Sequence, residues 1–292
     1  MADKGGKMRE KSSEVKPAKP AKQARTEVPK RQRWMLVFEI ITMLAFVAFA
    51  VIAAQFVVGY LMVWTLGVEA FQTPVVTTVY SALAYLLALV LVIFVSPQLA
   101  KKLKMGENKK PKKSVKNDAE VKASRRKELG LSGWPTWTDI GLAPVGYVAQ
   151  LALSALLVGL FAVLFPWFDM EQAQNVGYNV LNSGLDRVVA FIALVVIAPI
   201  AEEIIFRGWL YGKLRRKLSG RMSEMAGMAL AIFLVSLLFG LVHMQWNVGV
   251  NVFAVSVVLC ALREFTGTIY SGILVHMLKN GVAFYLLYVA GI

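Results

Sequence analysis

The apolar stretch from Met35 to Leu66, whose only charged residue is Glu39 near its start, sets what this chain can become. Backbone N–H and C=O groups in lipid find no water to bond, so a run of this length is read as a membrane-crossing helix. Further apolar runs follow over 75–95, from beyond Asp139 to Phe165, and over 187–218, 222–244, 248–262 and 269–290. No convincing stretch alternates apolar and polar residues with the period of a strand. The expected fold is all-α, a polytopic transmembrane helical bundle of about seven spans.

The formal charge of +14 is unevenly distributed. Residues 1–34 carry 11 Lys and Arg against 4 Asp and Glu, and residues 98–129 carry 12 against 4, so these segments hold +7 and +8 and the remainder −1. Charge confined beside apolar spans is the positive-inside pattern, and it attracts anionic lipid headgroups. No recognition fold accompanies it, so nucleic acid is not an expected partner.

The layout read from this pattern is a disordered basic cytosolic tail over 1–34, two transmembrane helices over 35–96, a basic cytosolic loop over 97–133 and a helical core over 134–292. The basic start and the first apolar run are too long for a cleavable signal, so Met35 onward reads as a retained anchor. The protein is expected to be a multi-pass integral protein of the cell (plasma) membrane with its N-terminus in the cytosol. Trp134 and Trp137 read as an interfacial aromatic anchor. The loop from Trp167 to Asp186, without Lys or Arg, reads as external. The single cysteine, Cys260, excludes an internal disulfide and reads as a packing residue.

Within the core, the run Pro199-Ile200-Ala201-Glu202-Glu203-Ile204-Ile205-Phe206-Arg207-Gly208 sets two acids and a guanidinium in an apolar helix. Charges at membrane depth cost about 2.5–3.5 kcal/mol each, so they turn to a protein interior and mark function. Glu203 and Arg207 are four apart with the acid first, the favourable order for an ion pair. Glu202 lies about 100° further round the helix and is left free for chemistry. Both histidines of the chain, His243 and His276, also fall in apolar runs, and Asn280 shares a helical face with His276.

Such a set suits hydrolysis of an amide by water. A carboxylate in a partly dry cavity is a general base, imidazole shares the proton of the water, and imidazole or amide N–H groups stabilise an oxyanion. The same donors, Glu202, His243 and His276, can chelate a divalent metal with one position open for water. No His-Glu-x-x-His pair or intramembrane aspartate pair is present. Ser271 and His276 are five apart and on different helical faces, which weighs against a serine nucleophile.

The elements Glu202-Glu203-x-x-x-Arg207, Phe239-x-x-x-His243 and His276-x-x-x-Asn280, with Pro199 and Phe206-Arg207-Gly208, resemble the signatures of the CAAX-protease and bacteriocin-processing family of intramembrane endopeptidases. The resemblance covers about residues 140–290, so the core over 134–292 reads as protease-like. It implies an endopeptidase acting on membrane-associated or lipidated, CAAX-like proteins. Glu202 is then the general base, assisted by His243, while His276 and Asn280 stabilise the oxyanion and Glu203 and Arg207 support the site. The family is often called metalloprotease, so zinc is a candidate cofactor; the metal-free glutamate scheme is preferred. A non-catalytic membrane adaptor or bacteriocin self-immunity protein is the alternative, and a proton-coupled transporter lacks the repeated halves it would need.

One geometric strain accompanies this reading. Counted from a turn at Ser219-Gly220 at 1.5 Å per residue, Glu202 and His243 lie about 9 Å out of register.

Overall fold

The computed structural model describes residues 1–2, 30–95, 98, 118–167, 169, 181 and 183–291. Most of the expected tail, the loop over 99–117 and most of the loop over 170–182 lie outside the described residues. Among the described residues there is no strand. Eight helices follow in order: α1 Lys30–Leu66, α2 Pro74–Val95, α3 Asp118–Glu128, α4 Trp137–Leu164, α5 Gly184–Leu218, α6 Glu224–Leu241, α7 Trp246–Thr266 and α8 Tyr270–Ala290. All but α3 are long and apolar enough to cross a membrane, which makes the chain an integral membrane protein.

Local chemistry sets the helix starts. Thr136 with Asp139 opens α4, and Ser183 with Asp186 opens α5, each pair forming a reciprocal capping box. Ser223 caps α6 by accepting from the Ala226 N–H. The helix α3 was not anticipated within the basic loop. It has Arg125, Arg126 and Lys127 in its last turn, a placement that complements the helix dipole.

The bundle is built around α5. Half of its most apolar window is buried, against 11% for α4, so α5 is enclosed while α4 faces outward. Ile205, Phe206, Leu210, Leu214 and Leu218 are buried along it. The α1–α2 hairpin packs against α5 through small side chains, Ala50 and Ala54 on α1 and Ala88 on α2, which let the helices approach. Helices α6 and α7 meet where a Cβ on Gly240 would stand 2.8 Å from the Gly249 carbonyl oxygen. On the outside of α4, Val145, Val148, Leu156 and Val163 are exposed, as suits a face toward lipid.

Two features of α5 differ from a plain α-helix. The backbone widens to a π-helical spacing over Ile192–Ile197 and again over Glu203–Tyr211. Between them stands Pro199, which has no N–H to give. The Leu194 carbonyl, five residues earlier, instead accepts from Asn280 Nδ2 on α8 at 2.9 Å. A missing donor on one helix is thus supplied by a side chain of another.

The spans differ from the sequence reading at α6, which ends at Leu241 and not at Met244. His243 therefore sits in a turn between helices, outside any helical segment. Met244 adopts a left-handed φ of 58° there, and the chain re-enters helix at Trp246. The close Gly240–Gly249 approach leaves room only for this short reversal.

The register strain also resolves. The chain turns over Ser219–Ser223, not at Ser219-Gly220 alone, and α6 begins only at Glu224. Phe206 packs on Phe239 with ring centroids 4.8 Å apart. Four residues back along α5 and four forward from Phe239 bring Glu202 and His243 to one level.

Candidate active site

The π-widened turn of α5 sets Glu202 and Glu203 in different surroundings. Glu203 and Arg207 are both fully buried, and Arg207 Nη1 donates to Glu203 Oε1 at 2.9 Å. The guanidinium carbon lies 4.3 Å from the centre of the Phe239 ring, a cation–π contact that holds the arginine from its other side. On α8, Gly272 leaves space for this carboxylate: a Cβ there would stand 3.0 Å from Glu203 Oε2. Glu203 Oε1 and Arg207 Nη1 are thereby held on each other.

Glu202 instead faces a cavity of about 330 Å³, lined among others by His243, His276, Lys279 and Asn280. Its side chain is 8% exposed, and His276 Nε2 lies 3.6 Å from Oε2. The other ring nitrogen of His276, Nδ1, is 3.1 Å from Glu203 Oε1. Because Glu203 is held as the anion of an ion pair, it accepts and Nδ1–H donates. This orients the ring and turns Nε2 toward Glu202 and the cavity.

His243 is set by the same logic. Its Nδ1 lies 2.7 Å from the Phe239 carbonyl oxygen, which can only accept, so Nδ1 carries the proton and Nε2 holds a lone pair. Burial lowers its pKa from the ordinary value of 6.5, against the opposing pull of Glu202, and so favours the neutral ring. Its ring packs edge-on to Phe239 at 5.0 Å, and the same Phe239 ring meets His276 edge-on at 6.1 Å. One aromatic side chain thus stands between both histidines and Arg207.

Asn280 lines the cavity while one of its amide hydrogens is held by the Leu194 carbonyl. Only the second is free for another acceptor. Two cavity residues had no role in the sequence reading. Lys279, inside the His276-to-Asn280 element, lines the cavity with no hydrogen bond or ion pair among the described residues. Tyr85 on α2 also lines it. Helical spacing was a signal for Lys279; nothing local in the sequence ties Tyr85 to residue 202.

Residues 184–282 match the family model for type II CAAX prenyl endopeptidase, Rce1-like. The match confirms the family resemblance read from the motifs. It spans α5 to most of α8 and includes Glu202, Glu203, Arg207, His243, His276 and Asn280; α1 to α4 lie outside it. No curated protein and no solved structure matches the chain. The matched family is one of CAAX protease-type peptidases, which makes intramembrane peptide hydrolysis the activity indicated for this segment.

The fit to zinc is poor. Among the described residues, no three His, Cys, Asp or Glu side chains form a group placed to hold a metal ion. His276 Nδ1 on Glu203 and His243 Nδ1 on the Phe239 carbonyl leave the two Nε2 atoms as the available imidazole donors. The remaining donors, Glu202 and the two Nε2 atoms, share a cavity without converging on a common point. No catalytic step is therefore assigned to a metal.

The serine considered near His276 is otherwise engaged. Ser271 is fully buried and donates to Asp139 Oδ1 at 2.6 Å, a contact that ties α8 to the start of α4.

Proposed function

We propose that the protein is an intramembrane endopeptidase that hydrolyses peptide bonds of membrane-associated or lipidated, CAAX-like proteins with water activated by Glu202. The observation that carries this reading is a buried carboxylate sharing one cavity with two histidines, each held through Nδ1, with His276 Nε2 3.6 Å from the carboxylate, inside the segment that matches the family.

A water between Glu202 and His243 Nε2 meets two proton acceptors. Glu202 takes a proton as the oxygen attacks the peptide carbonyl, and the Nε2 lone pair of His243 steadies the water during attack. The new C–O bond turns the carbonyl oxygen into an oxyanion. The free N–H of Asn280 and the Lys279 ammonium supply positive character toward it, and His276 donates from Nε2 when it carries a second proton. Glu202 then gives its proton to the leaving amine as the C–N bond breaks, and the enzyme returns to its starting state.

Glu203 and Arg207 support this site by position. Their ion pair fixes His276 Nδ1, and so the direction of Nε2. The apolar substrate and the basic segments share one logic, since a lipid-anchored protein lies at the membrane and anionic headgroups concentrate near Lys and Arg. The plasma membrane and a cytosolic N-terminus belong to the same proposal.

The direct test is cleavage of a farnesylated peptide ending in a Cys-a-a-X sequence by the purified protein in lipid nanodiscs. Wild type is expected to release the C-terminal fragment and Glu202→Gln to release none. Treatment with a chelator is expected to leave cleavage intact. Activity abolished by the chelator and restored by zinc would move the reading to a metal centre.

A further inference from the structure

The cavity in front of Glu202 has a closed end and an open one. Ile205, Phe206, Phe239, Val252 and Val255 line it and are buried, so its floor is apolar and packed. Its rim is polar: Gln55 on α1 is exposed, and Ser81 on α2 is half-buried, as are His243 and Gln245 in the turn after α6. Along α5 the lining passes from half-buried Leu194 to buried Glu202 and Phe206. Along α8 it passes from exposed Leu287 back to buried His276. Every gradient runs the same way through the bundle, because the rim residues stand toward the ends of α1, α6 and α8 and toward the starts of α2, α5 and α7.

The basic residues gather at the other end. Near the end of α5, Lys217 pairs with Glu39 near the start of α1, Arg215 with Glu264 near the end of α7, and Arg216 with Glu128 at the end of α3. Arg125, Arg126 and Lys127 close α3 there, and Arg221 lies in the turn that follows α5. At the rim end, outside the cavity, Arg187 is the sole Lys or Arg among the described residues, beside Glu69, Asp169 and Asp186. The excess of Lys and Arg marks the cytosolic side of a membrane protein. The buried apolar floor therefore stands between the reacting groups and that side.

We propose that the catalytic cavity opens to the non-cytosolic side of the membrane, and that its substrate is a membrane-anchored polypeptide presented at that surface. This rests on the endopeptidase reading and the cytosolic N-terminus above. The polar rim admits water and an extended peptide together, and both reach Glu202 from the same direction. A polypeptide held at the cytosolic surface meets the packed floor instead. The basic end fixes the orientation of the bundle, and the opposite end selects what is cut.

The first test reads the side of the opening without any substrate. Ser81→Cys at the rim and Ser219→Cys at the basic end, each with Cys260→Ala, are exposed to a charged, membrane-impermeant methanethiosulfonate in sealed membrane vesicles of either orientation. Ser81→Cys is expected to react in right-side-out vesicles and Ser219→Cys in inside-out ones. Reaction of Ser81→Cys from the cytosolic side, from the same side as Ser219→Cys, or from neither side would overturn the proposal.

The second test uses the wild-type chain in the same vesicles and the farnesylated Cys-a-a-X peptide, extended by charged residues that keep it on the side of addition. Cleavage is expected in right-side-out vesicles and lost in inside-out ones. Cleavage in inside-out vesicles alone, or equally in both, would overturn the proposal. A protein that cuts in neither, with the two cysteines labelled from opposite sides as expected, would count against the endopeptidase reading and leave the direction of the opening standing.

Discussion

Glu202 and Glu203 are neighbours in sequence, and their partners decide which can react. Glu203 has Arg207 and His276 on it and no exposure; Glu202 has a cavity in front of it. Removing the arginine leaves a buried carboxylate without its cation, so Arg207→Ala is expected to destabilise the protein by about 3–5 kcal/mol. A thermal midpoint equal to wild type in nanodiscs would contradict this. His243 gives a pH signature. Its pKa is lowered by burial, so the neutral ring with its free Nε2 persists at pH 6.5 and is lost only in stronger acid. Cleavage is therefore expected to hold steady through pH 6.5 and fall below it. A decline already centred above pH 6.5 would show that His243 does not work as the neutral ring.

At the scale of elements, π-widened turns and glycine contacts bring the site together. The Gly240–Gly249 approach brings α6 against α7 and forces the short reversal that carries His243. Gly240→Ala sets a Cβ 2.8 Å from a backbone oxygen that cannot swing aside, and is expected to cost about 1–3 kcal/mol and to lower activity by moving His243. Wild-type stability and rate in that variant would show that the helices have slack there. Pro199 and Asn280 form a second device across α5 and α8. The sequence displayed the long spans through apolar runs, and the Glu203–Arg207 pair through its four-residue spacing. It did not display the π-widening, because wide turns leave no periodic mark over so few residues. The end of α6 was placed too late for a related reason: Leu241-Val242-His243-Met244 is apolar enough to pass as helix, and the reversal is set by a glycine contact with another element. Likewise, α3 is marked by the placement of its charges and carries no apolar stripe, so a reading built on hydrophobic runs passed over it.

At the scale of the whole molecule, one enclosed helix carries the reacting acids and the others wall it in. Opposite charges tie its basic end to its neighbours: Arg215 donates to Glu264 of α7 at 3.0 Å, and Lys217 pairs with Glu39 of α1. The Tyr211 hydroxyl donates to the same Glu264 at 2.6 Å. The cavity residues come from α5 itself, from α1, α2, α6, α7 and α8, and from the turn after α6. The central claim is that Glu202 is the base and that its neighbours only hold and assist it. The measurement that tests it most directly compares peptide products from membranes containing wild type with those containing Glu202→Gln at matched expression. The account predicts C-terminal or membrane-proximal fragments with wild type alone, and equal amounts of folded protein in both. Identical fragments from the two membranes would contradict it.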